Sequence, residues 1–214
     1  MTKNDLIARV HARASKPKMI HDMARSMSPT PKLFPPATTQ QIVAAEKTLG
    51  FALPPVFKQL LTEIRNGGFG PGYGLFGVDG GNPDYDRSTL TQLYARAHSP
   101  IERNNFSLLP EKILPVCNWG CGIYSCLDCR HADAPVYFFN PELHVLDDEN
   151  LEATVTDADG KVVWTYRPQI QSSDKAESKP TRLFLHKKSF EEWIAAWAKG
   201  VKLWDEMQEL MLSF

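Results

Sequence analysis

No run of apolar residues in this 214-residue chain approaches the roughly 20 that a membrane-spanning helix needs, so a transmembrane segment is not expected. Charge of one sign is equally lacking. Against 24 Lys and Arg stand 25 Asp and Glu, a formal net charge of −1, which supplies no overall field for nucleic acid or an acidic membrane surface. The apolar residues after Met1 are interrupted by Arg9, His11 and Arg13, which does not make a signal-peptide core. Cysteine is scarce and confined to one window, Cys117, Cys121, Cys126 and Cys129, unlike the dispersed framework of a secreted disulfide scaffold. A soluble cytoplasmic protein with free thiols is expected. No lysine lies between Lys58 and Lys112, so the glycine-dense segment from Asn66 to Gly81 lacks the Lys-Ser/Thr pair of a phosphate-binding loop.

What is present is 43% apolar residues, enough at this length for a substantial core in one main domain. Leu6, Ile7 and Val10, then Met19, Met23 and Met27, are spaced as two short helices, followed by an extended linker through Pro29, Pro31, Pro35 and Pro36. Thr38 and Gln41 have capping-box spacing, Ile42, Ala45 and Leu49 share a face, and Gly50 supplies the stop. Leu53-Pro54-Pro55 opens the next helix, with Val56, Phe57, Leu60, Leu61 and Ile64 as its stripe.

Eight of the 13 glycines then fall between Gly67 and Gly81, with Tyr73, Leu75, Phe76 and Val78 among them predicting a short strand. A capped helix is expected from Ser88 to His98. Strands are expected over Ile113 to Trp119, Ile123 to Cys129, Val136 to Phe139 and Val162 to Tyr166, with turns at Gly120-Cys121-Gly122 and Asp157 to Gly160. Gln171 to Pro180 reads as a polar loop. From Ser189 through Trp193, Trp197 and Trp204 one long closing helix is expected. The fold class is α+β, a mostly antiparallel sheet flanked by helices, with residues 1–36 as a helical extension and 37–214 as the main domain.

The order Ala45-Glu46, Leu49-Gly50-Phe51, Leu53-Pro54, Asn66-Gly67-Gly68-Phe69-Gly70-Pro71 and Tyr73-Gly74-Leu75-Phe76-Gly77 resembles the SUKH superfamily, the group of the yeast cell-wall assembly regulator. Leu114-Pro115, Asn118-Trp119-Gly120-Cys121-Gly122 and Phe190-Glu191-Glu192-Trp193 with Trp197 and Gly200 agree with it. The resemblance covers residues 37 to 205. It implies a curved sheet flanked by helices and no shared catalytic chemistry. Its bacterial members resemble immunity proteins that bind and block a nuclease- or deaminase-type toxin, and its fungal members regulatory hubs. The expected function is therefore neutralisation of a cognate toxin by occlusion. A regulatory scaffold for an endogenous partner is the alternative, and a zinc- or thiol-dependent enzyme a third reading.

The residues themselves offer little chemistry. Only Cys126 and Cys129 have the pair spacing of a zinc knuckle, and on one strand residues three apart face opposite ways. Cys126, Asp128 and His131 invite a Cys-His-Asp set, but such groups meet in space rather than along one strand. His11, His21, His98, His144 and His186 have no ligand spacing, and no metal or cofactor is expected. Asp79, Asp84 and Asp86 beside Tyr85, with a second acidic group at Asp147-Asp148-Glu149, read either as solvated loops or as a mimic of nucleic-acid charge facing a basic toxin cleft. Tyr73, Tyr85 and Trp119 are the aromatic candidates for a partner surface, although Trp119 at the end of an apolar strand also fits a core position. The partner-binding set is thus Tyr73, Asp79, Asp84, Tyr85, Asp86 and Trp119.

Overall fold

A computed structural model describes residues 2–25, 31–98, 109–140, 153–156, 162–166 and 183–212. The expected turn at 157–160, the acidic group at 147–149, His144, Met27 and the polar stretch 171–180 lie outside them.

Helices α1 (Lys3–Ala14), α2 (Thr39–Leu49), α3 (Pro55–Glu63) and α4 (Leu90–Ala97) precede the sheet. Their ends are locally written. The Thr38 hydroxyl accepts from the Gln41 N–H while the Gln41 side chain accepts from the Thr38 N–H, and Gly50 closes α2 at φ +78°; the reciprocal cap satisfies two otherwise orphaned donors. Pro55 starts α3, where a missing N–H costs nothing.

Strands β1 (Ile113–Gly120), β2 (Ile123–Asp128), β3 (Val136–Phe139) and β6 (Leu183–Lys187) form an antiparallel sheet in the order β1-β2-β3-β6, and β4 (Ala153–Thr156) pairs with β5 (Val162–Tyr166). Cys121 and Gly122 join β1 to β2, both at positive φ (+52° and +75°), the combination that lets a two-residue turn follow the strands' twist. Register shifts between Pro115 and Cys117 and between Asn118 and Gly120 bend β1. The core lies between sheet and helices, with Phe57, Phe69, Phe138, Trp193 and Trp197 fully buried.

Three expectations need correction. The apolar run 73–78 is not a regular strand. It lies along the open edge of β1, with Tyr73 N–H donating to Asn118 O (3.0 Å) and Phe76 N–H to Val116 O (2.8 Å), but Gly72 and Gly74 at φ +55° and +93° break the pleat. The closing helix is two, α5 (Phe190–Lys199) and α6 (Leu203–Leu212), because Gly200 takes a left-handed cap at φ +91°. The second N-terminal helix is a single 3-10 turn at Asp22–Arg25.

That N-terminal segment is part of the core. Leu6, Ile7, Val10, Ala14 and Ile20 are buried in it. Asp22 ties three elements together: its carboxylate accepts from the Gly72 N–H (3.0 Å) and the Trp197 indole N–H (3.1 Å), and pairs with Arg13 (3.3 Å). The Arg13 guanidinium lies 4.4 Å over the Trp197 ring and donates to its carbonyl. Burial pushes the Asp22 carboxyl above its ordinary range, against the lowering effect of the Gly72 N–H and Arg13.

Candidate functional site: the rim of the glycine segment

Asn66 organises the glycine segment from inside. Its amide oxygen accepts from the Val78 N–H (2.9 Å), and its amide nitrogen donates to the carbonyls of Val78 (3.4 Å) and Asp79 (3.2 Å). Asn82 closes the loop, donating through Nδ2 to Leu75 O (2.9 Å) and accepting at its carbonyl from the Gly77 N–H (2.7 Å). Packing this close needs glycine. A Cβ on Gly67 would stand 2.5 Å from Leu75 O, and Gly67 is at φ +79°. The many internal hydrogen bonds leave this loop little conformational freedom.

Beyond it, residues 84–88 form a tight turn. Asp84 N–H donates to Ser88 O (2.8 Å), Arg87 N–H to Asp84 O (2.9 Å) and Ser88 N–H to the Asp86 carboxylate (2.9 Å). Arg96 on α4 pairs with Asp86 and donates to Ser88 Oγ (2.9 Å). The turn is anchored to the sheet through Asp84, which accepts from the Asn118 amide (2.7 Å) and the Tyr124 hydroxyl (2.8 Å). Asn118 also accepts at its backbone carbonyl from the Tyr73 N–H, so one residue of β1 joins the Tyr73 loop to the Tyr85 turn.

The six residues singled out by sequence therefore separate. Tyr85 is 98% exposed and Tyr73 45% exposed, with Tyr73 beside Gly120 of the β1–β2 turn. Asp79 and Asp86 are exposed. Asp84 and Trp119 are not on the open surface, at 8% and 4% exposure. Trp119 donates its indole N–H to Ser125 Oγ (2.9 Å) and lies against the Trp204 ring at a centroid distance of 5.7 Å. The three aspartates do not form one open acidic cluster, because Asp84 is spent inward and Asp86 is paired with Arg96. Asn66 and Asn118 stood in the motifs that carry the family resemblance, but neither their side-chain role nor that of Tyr124 in building the rim was legible in the sequence. Their partners lie 12 to 40 residues away.

The buried and half-buried thiols are not poised for nucleophilic chemistry. All four cysteines are free; Cys117 and Cys126 are buried, Cys129 is half-buried and Cys121 is exposed at the hairpin turn. Burial pushes the Cys117 and Cys126 thiols far above their ordinary range, and Cys129 up to about 12 with Asp128 adding to the effect, so the thiolate is negligible at neutral pH. Asp128 is held by Arg130 through two side-chain bonds of 2.7 and 2.6 Å, and His131 Nε2 stands 3.7 Å from it. Burial and the Asp84 charge likewise raise the Tyr124 phenol well above its usual range. Among the described residues no three His, Cys, Asp or Glu side chains gather as a metal site, and no helix is long and apolar enough to cross a membrane.

Among the described residues the glycine segment and the Tyr85 turn form hydrogen-bonded loops on the rim of the sheet. The SMI1 / KNR4 family (SUKH-1) matches residues 36–196. The chain belongs to that family. No curated protein matches it.

Proposed function

We propose that this SUKH-family chain is an immunity protein of the cytoplasm that neutralises a cognate nuclease- or deaminase-type toxin by covering its active face. Tyr73, Asp79, Tyr85 and Asp86 make the contact, while Asp84 and Trp119 hold the contact loops from beneath. The observation that carries this reading is Tyr85. A tyrosine left 98% exposed on a turn whose backbone is pinned to the sheet through Asp84 is a large amphipathic side chain held out on a pre-ordered turn, and such residues dominate binding energy in protein interfaces. Family membership supports a protein partner, and the four free thiols suit a reducing compartment.

The test is protection. If a toxin domain is encoded beside this chain, as the proposal requires, cells expressing it should survive when the chain is co-expressed and die when the chain carries Tyr85→Ala together with Tyr73→Ala. Full protection by that double variant, produced at wild-type level, would remove the rim from the contact.

A further inference from the structure

Helices α1 and α5 pack side by side and run in the same direction. Lys3 at the start of α1 pairs with Glu191 at the start of α5 (3.8 Å), and Arg13 at the end of α1 meets Trp197 and Gly200 at the end of α5. Between their C-terminal ends opens a groove of about 260 Å³ lined by Arg9, Arg13, Lys16 and Lys199, with Ala12, Met19 and Ala198 as apolar wall. Among the described residues no acidic side chain lines it.

Cations at helix C-termini are expected, so their number decides whether the groove has charge to spare. Two helix ends contribute roughly half a negative charge each, and Asp22 offsets one cation through Arg13. Four cations less these leave about +2, and the Asp5 carboxylate, one turn before Arg9 and interacting with it, brings the surplus to about +1. Arg13 is committed to Asp22 and Trp197, whereas Arg9, Lys16 and Lys199 are exposed.

We infer that this groove is a second binding site, separate from the glycine-segment rim, and that it takes an acidic extended segment of a protein partner. Arg9 and Arg13 stand four helical residues apart on α1, about 6 Å at 1.5 Å per residue, and Lys16 follows just beyond the helix end at Ala14. In an extended strand, acids two residues apart stand on one side about 7 Å from each other, which lets two neighbouring acids reach the cations at Arg9 and Lys16, while the residue between them faces the other way. Duplex nucleic acid binds through many phosphates along a longer track, and the chain's net charge of −1 supplies no field around the groove to extend one. The guanidinium fork of Arg9 matches a carboxylate in two-point contact.

The probe is a six-residue peptide alternating glutamate and alanine, titrated into the isotopically labelled full chain and followed by amide chemical shifts, with the glutamine counterpart, inorganic phosphate and a short DNA duplex as parallel arms. Saturable shifts are expected in α1 and around Lys199 and Gly200. The combined variant Arg9→Gln, Lys16→Gln, Lys199→Gln should weaken binding at least tenfold, and the charge-keeping Arg9→Lys, Lys16→Arg, Lys199→Arg should restore it. Raising ionic strength from about 20 to about 200 mM should weaken it further, and Tyr85→Ala should leave it unchanged, which separates this site from the rim. Absent or scattered shifts, equal binding of the glutamine peptide or of phosphate alone, or tighter binding of the duplex would each overturn the assignment.

Discussion

The Tyr124 hydroxyl donates a 2.8 Å hydrogen bond to the Asp84 carboxylate, 40 residues earlier in the chain. Asn118 donates a second, of 2.7 Å, to the other oxygen. The pair fastens the Tyr85 turn to the sheet. Asp84→Ala would strand a buried hydroxyl and an amide, so it should cost about 3 kcal/mol in urea unfolding. Tyr124→Phe should cost about 1 kcal/mol. The double variant should cost less than the sum, because both changes remove the same contact. Additive losses would mean that the bond contributes nothing.

Residues 2–25 place Leu6, Ile7, Val10, Ala14 and Ile20 in the core, and we propose that they fold with the main domain. Removing residues 1–25 would expose the faces that Leu6, Ile7, Val10 and Ile20 cover, each worth about 1.5–3 kcal/mol, and the truncated chain should fail to unfold cooperatively. Leu6→Ala in the full chain should cost about 2–5 kcal/mol. An unchanged thermal midpoint for the truncation would restore the division at residue 36.

Two glycines of nearly equal φ separate backbone strain from crowding. Gly50, at +78°, would place a Cβ in open space, and Gly67, at +79°, would drive one into the Leu75 carbonyl. Gly50→Ala should cost about 1–2 kcal/mol, the left-handed penalty alone. Gly67→Ala should cost clearly more, about 4 kcal/mol or above, the range reserved for severe steric conflict. Equal losses in chemical denaturation would contradict the packing of the glycine segment.

His186 on β6 is buried against Lys187 and Glu206, and burial with the Lys187 charge lowers its pKa from 6.5 to about 4. The folded protein therefore binds this proton less readily than the unfolded chain. Stability rises with pH across the window from about 4 to 6.5 and is lost on acidification. Between pH 7 and 4.5 the wild type should lose roughly 2–3 kcal/mol more than His186→Gln. Parallel losses in the two proteins would place the His186 ring in water.

The parts legible in sequence are those whose causes lie within a few residues. Thr38, Gln41 and Gly50 cap α2 by contacts inside it, and β1, β2 and β3 follow their apolar runs, whereas β6 at Leu183–Lys187 was not expected and the strand at Val162–Tyr166 pairs with β4 instead of joining that sheet. The break at Gly200 was hidden because Trp197, Val201 and Trp204 keep helical spacing across it, so periodicity carried the reading past a left-handed residue. Tyr73, Leu75 and Phe76 read as a strand because side-chain type does not record that Gly72 and Gly74 sit at positive φ. At the rim, Tyr85 and Asp79 were legible as exposed loop residues. The inward turn of Asp84 was not, since its cause lies in Asn118 and Tyr124 on neighbouring strands.

The proposal that this chain acts by binding through the glycine-segment rim is tested most directly by calorimetric titration of the chain into a toxin domain found encoded beside it. A one-to-one complex is expected, weakened at least tenfold by Tyr85→Ala, with the variant's unfolding midpoint unchanged because the side chain touches solvent on nearly all sides. Absence of a complex, or an affinity indifferent to Tyr85, would contradict it.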